Sequence, residues 1–180
     1  MLELIARCPE FVSGYRDYCR ELYDAPSLFF RPTDPDTIDD DWFERTKPWY
    51  DRKEKGLIPG QPVSFHYWAV DGDRFIGEFQ FRPEFSRKVL HELGNVGYAV
   101  RPTEQGKGYG TEILRRGLEL ARSRGMTRVL LTIDERNAAS LRVCEKLGGV
   151  WDDTVRVRGA RMRRYWIALE KTVDSGARNG

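Results

Sequence analysis

The stretch Gly97-Tyr-Ala-Val-Arg-Pro-Thr-Glu-Gln-Gly-Lys-Gly-Tyr-Gly-Thr-Glu-Ile-Leu114 constrains this chain more than any other. Gly97 to Val100 is short, apolar and stopped by Pro102, which cannot continue a paired strand. Gly106, Gly108 and Gly110 then permit a tight turn with bare N–H groups. From Thr111, apolar residues recur at helical spacing: Ile113, Leu114, Gly117, Leu118 and Ala121. The expected order is strand, glycine turn, amphipathic helix. A helix that opens on such a loop has unsatisfied N–H donors and a positive dipole end, so the segment predicts a ligand bearing phosphate.

Two common glycine loops fail by spacing. Lys107 is followed by Gly108 rather than Ser or Thr, which excludes a P-loop, and Gly106-x-Gly108-x-Gly110 is not the dinucleotide G-x-G-x-x-G. The order Gln105-x-x-Gly108-x-Gly110, straight after a strand ending in Val-Arg-Pro, resembles the coenzyme A loop of the GNAT superfamily of N-acetyltransferases. The buried-strand pattern Arg128-Val-Leu-Leu-Thr-Ile133 follows, then Asn137-Ala-Ala-Ser-Leu141 and Glu145-Lys-Leu-Gly-Gly149, similar to the family's second helix with its Asn start and Leu-Gly end. The resemblance runs from about Glu92 to Gly149, and the flanking strands fit it more loosely.

The rest of the chain sets bounds. Its 180 residues suit one domain, expected over 1–170 with a frayed tail at 171–180. A net charge of +2 argues against a nucleic-acid or membrane partner, and no apolar run reaches membrane-spanning length. The N-terminal residues do not read as a signal peptide. Cys8, Cys19 and Cys144 form no framework or zinc pattern, and His66 and His91 have no metal spacing, so no metal and a cytoplasmic location are expected.

Leu2 to Arg7 reads as an edge strand, and Pro9 opens a helix with the stripe Phe11, Tyr15, Tyr18, Cys19 and Leu22. Thr37 is the expected cap of a second helix, which Pro48 should break or restart. Val63 to Val70 and Arg74 to Arg82 read as a hairpin across Asp71-Gly-Asp73, followed by a polar excursion from Pro83 to His91. Trp151 to Val157 and Met162 to Leu169 form the last antiparallel pair. The order β-α-α-β-β-β-α-β-α-β-β gives an α/β fold, a mixed and mostly antiparallel central sheet with helices on both faces, which is also the GNAT arrangement.

The resemblance implies acetyl transfer from acetyl-CoA to a primary amine of a small molecule or peptide by direct attack. It places the pantetheine arm along the strand Tyr98, Ala99 and Val100, with an N–H at or near Val100 facing the thioester oxygen. The pyrophosphate falls on the N–H groups of Gln105, Gly106, Lys107, Gly108, Tyr109, Gly110 and Thr111. Asn137 matches the residue that bonds pantetheine, and it is also a good helix cap. Many members place Tyr seven residues later, to protonate the departing thiolate. This chain has Cys144 there, which reads either as an acid or as core, and solvent or another Tyr can serve instead. The base is open among Glu78, Glu92 and a water-mediated route.

Phe29, Phe30, Trp42, Trp49 and Tyr50 beside the acidic run Asp34 to Glu44 suit a cationic, partly apolar amine, although the same residues serve equally as core and helix-dipole charges. The arginines Arg156, Arg158, Arg161, Arg163 and Arg164 read as a solvated face, with an anionic acceptor or nucleic acid as the alternative. Exposed strands near the C-terminus make a homodimer an expectation. The rival to an enzyme is a non-catalytic acyl-CoA-binding sensor or regulatory module.

Overall fold

Residues 1–23 and 32–169 are described by a computed structural model. Phe29, Phe30 and the expected tail 171–180 lie outside the described residues. The strands are β1 (Leu2–Ala6), β2 (Phe65–Asp71), β3 (Arg74–Phe81), β4 (Val96–Val100), β5 (Arg128–Asp134), β6 (Val150–Val157) and β7 (Ala160–Ala168). The helices are α1 (Val12–Tyr23), α2 (Trp42–Glu54), α3 (Tyr109–Ser123) and α4 (Ala138–Lys146). Short helical turns precede α1 at Pro9–Phe11 and β4 at Val89–Leu93. The order of strands and longer helices is the one the sequence patterns predict.

Two antiparallel sheets result, β1-β2-β3-β4 and β5-β7-β6, with β6 as an open edge. The crossover from β4 through α3 brings β5 alongside β4, yet the two strands do not pair along their length. The β6–β7 hairpin turns on Arg158 (φ +49) and Gly159 (φ +85), both left-handed, as a two-residue turn between twisted strands demands.

Alternation assigns the faces of the first sheet. Phe79, Phe81, Val96 and Ala69 meet Ile113, Leu114 and Ala121 of α3. Each of the fully buried Ile113 and Leu114 contributes ~1.5–3 kcal/mol. On the other face Trp68 and Phe75 meet Tyr15, Tyr18, Cys19 and Leu22 of α1 and Trp42 and Phe43 of α2. A register shift at Ala69/Val70, with Ile76 the extra residue, reverses the parity of β3, so Ile76 shares the core of Phe79 and Phe81 while Phe75 enters the other. Gly77 opposite permits the close approach of β4, since a Cβ there would stand 2.1 Å from the Ala99 carbonyl oxygen.

Three local expectations are corrected. Thr37 ends a short turn instead of capping α2, whose start is fixed by Asp39: its side chain accepts from the Asp41 N–H and its carbonyl from the Trp42 N–H. The acidic run offers several competent caps, so residue type alone does not choose among them. Pro48 does not interrupt α2. It lies on the exposed side, where water can take the Glu44 carbonyl that its missing N–H leaves unbonded. Glu92 is exposed in the Val89–Leu93 turn, so the excursion expected to end at His91 runs past it and Glu92 is not on strand β4.

Candidate functional site

The site follows from where β4 stops pairing. Arg82 N–H donates to Asn95 O at 2.7 Å, and Arg101 N–H to Ile76 O at 2.8 Å, at opposite ends of the β3–β4 register. Between these ends, hydrogen-bonding direction alternates along an antiparallel strand. Gly97 and Ala99 therefore spend their backbone groups on β3, while Val96, Tyr98 and Val100 turn theirs to the outer edge. The Leu130 N–H and carbonyl likewise face outward from β5 and are both taken by Asn95, at 2.9 and 2.7 Å. Beyond that clamp the strands diverge, with the Tyr98 and Val100 edge on one side and Thr132 on the other. Among the described residues, the buried Tyr98 Oη and Thr132 Oγ1 make no close hydrogen bond, and both lie at this opening.

Gln105 Nε2 holds the Val100 carbonyl at 3.3 Å, which leaves the Val100 N–H facing the gap. The loop is fixed from α1: Glu21 accepts from Arg101 Nε at 2.7 Å, Thr103 N–H at 3.1 Å and the Thr103 hydroxyl at 3.0 Å. Burial opposes charge on Glu21, but the Thr103 N–H and the Arg101 guanidinium prevail and hold its carboxyl below the usual range. Gly106 (φ +77) and Gly108 (φ +88) adopt left-handed backbone, and Gly108 caps α3 with no side-chain hydrogen bond. Gln105 and Thr111 use their N–H groups in turns, on Pro102 O and Gly108 O. The N–H groups of Gly106 through Gly110 have no backbone acceptor among the described residues, so donors cluster at a positive helix end.

Tyr109 contributes only its backbone here, because its hydroxyl donates to Asp71 and accepts from Arg74, each at 2.8 Å, at the β2–β3 turn. Lys107 pairs with Glu104 at 3.1 Å. Gly110 stands against Tyr98, Val100 and Val143. Asn137 caps α4 by accepting the Ser140 N–H at 3.0 Å and is exposed, so its amide N–H groups remain available.

Cys144 is fully buried in the α3-side core, where burial pushes its thiol up to about 12. Tyr98 brings a hydroxyl close to Ser140 and Cys144, and burial pushes it too up to about 12.

Glu78 faces the α1/α2 side opposite Ala99, one register pair from Val100. It is 9 % exposed, and burial drives its carboxyl up to about 7 against the pull of Arg7 and the Tyr18 hydroxyl, which donates at 3.4 Å. Arg7, Glu21 and Asn95 were not singled out in the sequence. Nothing at their positions carries a motif, since each has a partner between 35 and 82 residues away. The expected aromatic recognition surface is already engaged: Trp42 is core, the Arg7 guanidinium lies 3.4 Å from the Tyr50 ring centroid, and Lys53 covers Trp49 at 4.4 Å. In the arginine hairpin, Arg164 pairs with Asp153 and donates to Leu90 O at 2.8 Å, and Arg161 pairs with Glu135 at 2.9 Å. No helix among the described residues is long and apolar enough to cross a membrane.

Comparison with known proteins agrees with this geometry. The mycothiol acetyltransferase of Streptosporangium roseum is 37% identical over 97 residues, covering 53% of this chain and 26% of the relative. The chain spans between a quarter and less than half of the length of the curated relatives it matches. RimL, a ribosomal L7/L12 alpha-N-protein acetyltransferase solved with coenzyme A, superposes with a TM-score of 0.67 at 15% identity, covering 93% of this chain and 94% of that one. The spermidine/spermine N-acetyltransferase SpeG from Vibrio cholerae superposes with a TM-score of 0.61 at 14% identity, covering 94% and 95%. The family model of the GNAT acetyltransferase domain matches residues 15–150. With well over half of its length inside that match, and with the glycine loop, the divergent β4 edge and the Asn-capped helix in place, the chain belongs to the GNAT acetyltransferase family.

Proposed function

We propose that this chain is an acetyl-CoA-dependent N-acetyltransferase that transfers acetyl to a primary amine by direct attack. The observation that carries this reading is the uncapped start of α3 beside the unpaired edge of β4. The Gly106 to Gly110 N–H groups suit a pyrophosphate. The outer-edge groups of Tyr98 and Val100 and the Asn137 amide suit the amide-rich pantetheine arm. A thioester needs little further activation, so placement and oxyanion stabilisation carry most of the rate. The Val100 N–H faces the gap and is the donor for the developing oxyanion.

In the step itself the amine nitrogen bonds to the thioester carbon, the C–S bond breaks, and the amine loses one proton while the sulfur gains one. Glu78 is the base this reading favours, because its pKa near neutrality matches the task and it sits on β3 directly opposite Ala99 of the strand that would hold the thioester. Glu92, exposed in its turn before β4, has no such setting. Cys144 serves packing in this reading, since its thiol is sealed in core.

Thermal unfolding with saturating acetyl-CoA, with NAD and ATP as controls, is the test. At ~100 times its Kd, acetyl-CoA should add about 2.7 kcal/mol and raise Tm by several degrees, with the controls flat. Free-thiol release with an amine panel should follow. No shift would overturn the coenzyme reading. A shift without turnover of any amine would favour a non-catalytic acyl-CoA-binding module.

A further inference from the structure

The α1/α2 face of the first sheet carries a second polar feature, at the far end of the row from Glu78. His66, Gln80 and Arg82 share this face with Glu78, because His66 pairs with Gln80 in register and Gln80 lies between Glu78 and Arg82 on β3. Arg82 is 8 % exposed. Its guanidinium donates only to neutral oxygens, Gln80 Oε1 and Gly94 O. Lys53 reaches in from α2, with Nζ 3.2 Å from His66 Nε2. An ammonium cannot accept, so His66 Nε2 accepts and its proton sits on Nδ1.

Among the described residues neither Arg82 nor Lys53 forms an ion pair, whereas nine other arginines do. Burial draws Arg82 down to about 10. Burial, then Arg82 and Lys88, draws Lys53 down to about 8. His66 falls to about 2 through burial, then Lys53, Arg82 and Arg7. Among the described residues no carboxylate contributes to any of the three shifts. A buried Arg82 beside a half-buried Lys53, with no counter-charge on either among the described residues, bears a cost that an incoming anion relieves.

There is also room. Gly97 pairs with Gln80 in register, and a Cβ built on it would meet nothing within 4 Å. This side-chain-free position lies on the same face, midway between Glu78 and Arg82. Those two residues are four apart on one strand, so their Cα atoms are roughly 13 Å apart. Both side chains are long enough to bracket a small molecule over Gly97.

We propose that this face selects acceptor amines that also carry an anionic group, with the anion on Arg82 and Lys53 and the amine toward Glu78. A planar guanidinium fork with an adjacent ammonium binds carboxylate and phosphate alike. The inference rests on the acetyl-transfer reading and names the substrate class of that site.

The test compares matched amines, 4-aminobutyrate against butylamine and O-phosphoethanolamine against ethanolamine, by thiol release from acetyl-CoA. At least one anionic member should exceed its neutral partner in kcat/KM by tenfold or more, and which pair does so separates carboxylate from phosphate. Lys53→Met, on a half-exposed helix position that should fold, should cut that ratio by about tenfold, mainly through KM. Equal use of both members of each pair, or an unchanged ratio in Lys53→Met, would overturn the proposal. If no amine turns over, thermal unfolding with glutarate and with inorganic phosphate decides separately. A rise in Tm that Lys53→Met abolishes upholds the anion site while the acetyl-transfer reading fails, and no rise overturns the anion site itself.

Discussion

At the scale of single residues, Glu78 is the proposed base because the fold withholds water from its carboxyl. Its carboxyl has a folded-state pKa of about 7, above the ordinary carboxylate value, with burial as the largest cause. The activity of a Glu78 base should rise through neutral pH as the proton leaves. Glu78→Gln should lose that limb and about 10²- to 10⁴-fold in rate. The sign of the stability effect follows from the same shift. A raised folded pKa means that the folded state holds the proton more tightly. The contribution is therefore complete below the unfolded pKa and is lost as pH rises through about 7. Above that pH the native protein contains a buried charge that Gln lacks. Glu78→Gln should accordingly be more stable than the parent at pH 8.5, by up to about 3 kcal/mol, and nearly equal to it at pH 4. Urea melts at the two pH values measure this. A variant less stable at pH 8.5 would show instead that the carboxylate is held as a stabilising partner of Arg7.

At the scale of elements, the start of α3 separates two glycines that look equivalent in the sequence. Gly108 has φ +88, where a side chain costs ~1–2 kcal/mol, so Gly108→Ala should shift the backbone whose N–H groups are proposed to hold the pyrophosphate. Gly110 has ordinary backbone, and an added Cβ meets Tyr98, Val100 and Val143 no closer than 3.5 Å. Gly110→Ala should leave stability and acetyl-CoA affinity close to those of the parent, whereas Gly108→Ala should weaken affinity several-fold. Calorimetric titration of both variants is the check, and equal losses would mean that the loop does not act through its backbone. The elements themselves were largely legible because periodicity records them: the α3 stripe, the apolar run of β5 and the Asp-Gly hairpin each appear within a residue or two of where pattern puts them. The start of α2 and its passage through Pro48 were not. Competing caps and a solvent-facing proline are settled by packing, to which local sequence is blind.

At the scale of the whole molecule, the site is a gap between two sheets, and gaps leave no periodic trace. The loop that fills one wall was readable, but the residue that sets the hinge carries no motif. Asn95 is fully buried. Its amide donates to Arg82 O at 3.0 Å and Glu84 O at 3.1 Å, and its Oδ1 accepts from Leu130 N–H at 2.9 Å. One side chain thus ties β3, the excursion after it and β5 together at the point where β4 and β5 part. Gly94 beside it can be nothing larger: at φ +71, a Cβ would stand 2.7 Å from Leu130 O. Asn95→Ala would leave the Arg82 carbonyl and the Leu130 N–H buried without partners, at a combined cost of about 2 kcal/mol or more. The loss should not be confined to stability. Leu169→Ala, a core truncation beyond the end of β7 with a cost of ~2–5 kcal/mol, supplies a variant of comparable instability that does not touch the hinge. At 10 °C, with both variants folded, Asn95→Ala should bind acetyl-CoA at least tenfold more weakly than Leu169→Ala, because only the first lets the two walls of the gap move independently. Equal affinities would place the divergence of β4 and β5 in the packing of α3 and α4 instead of in this clamp.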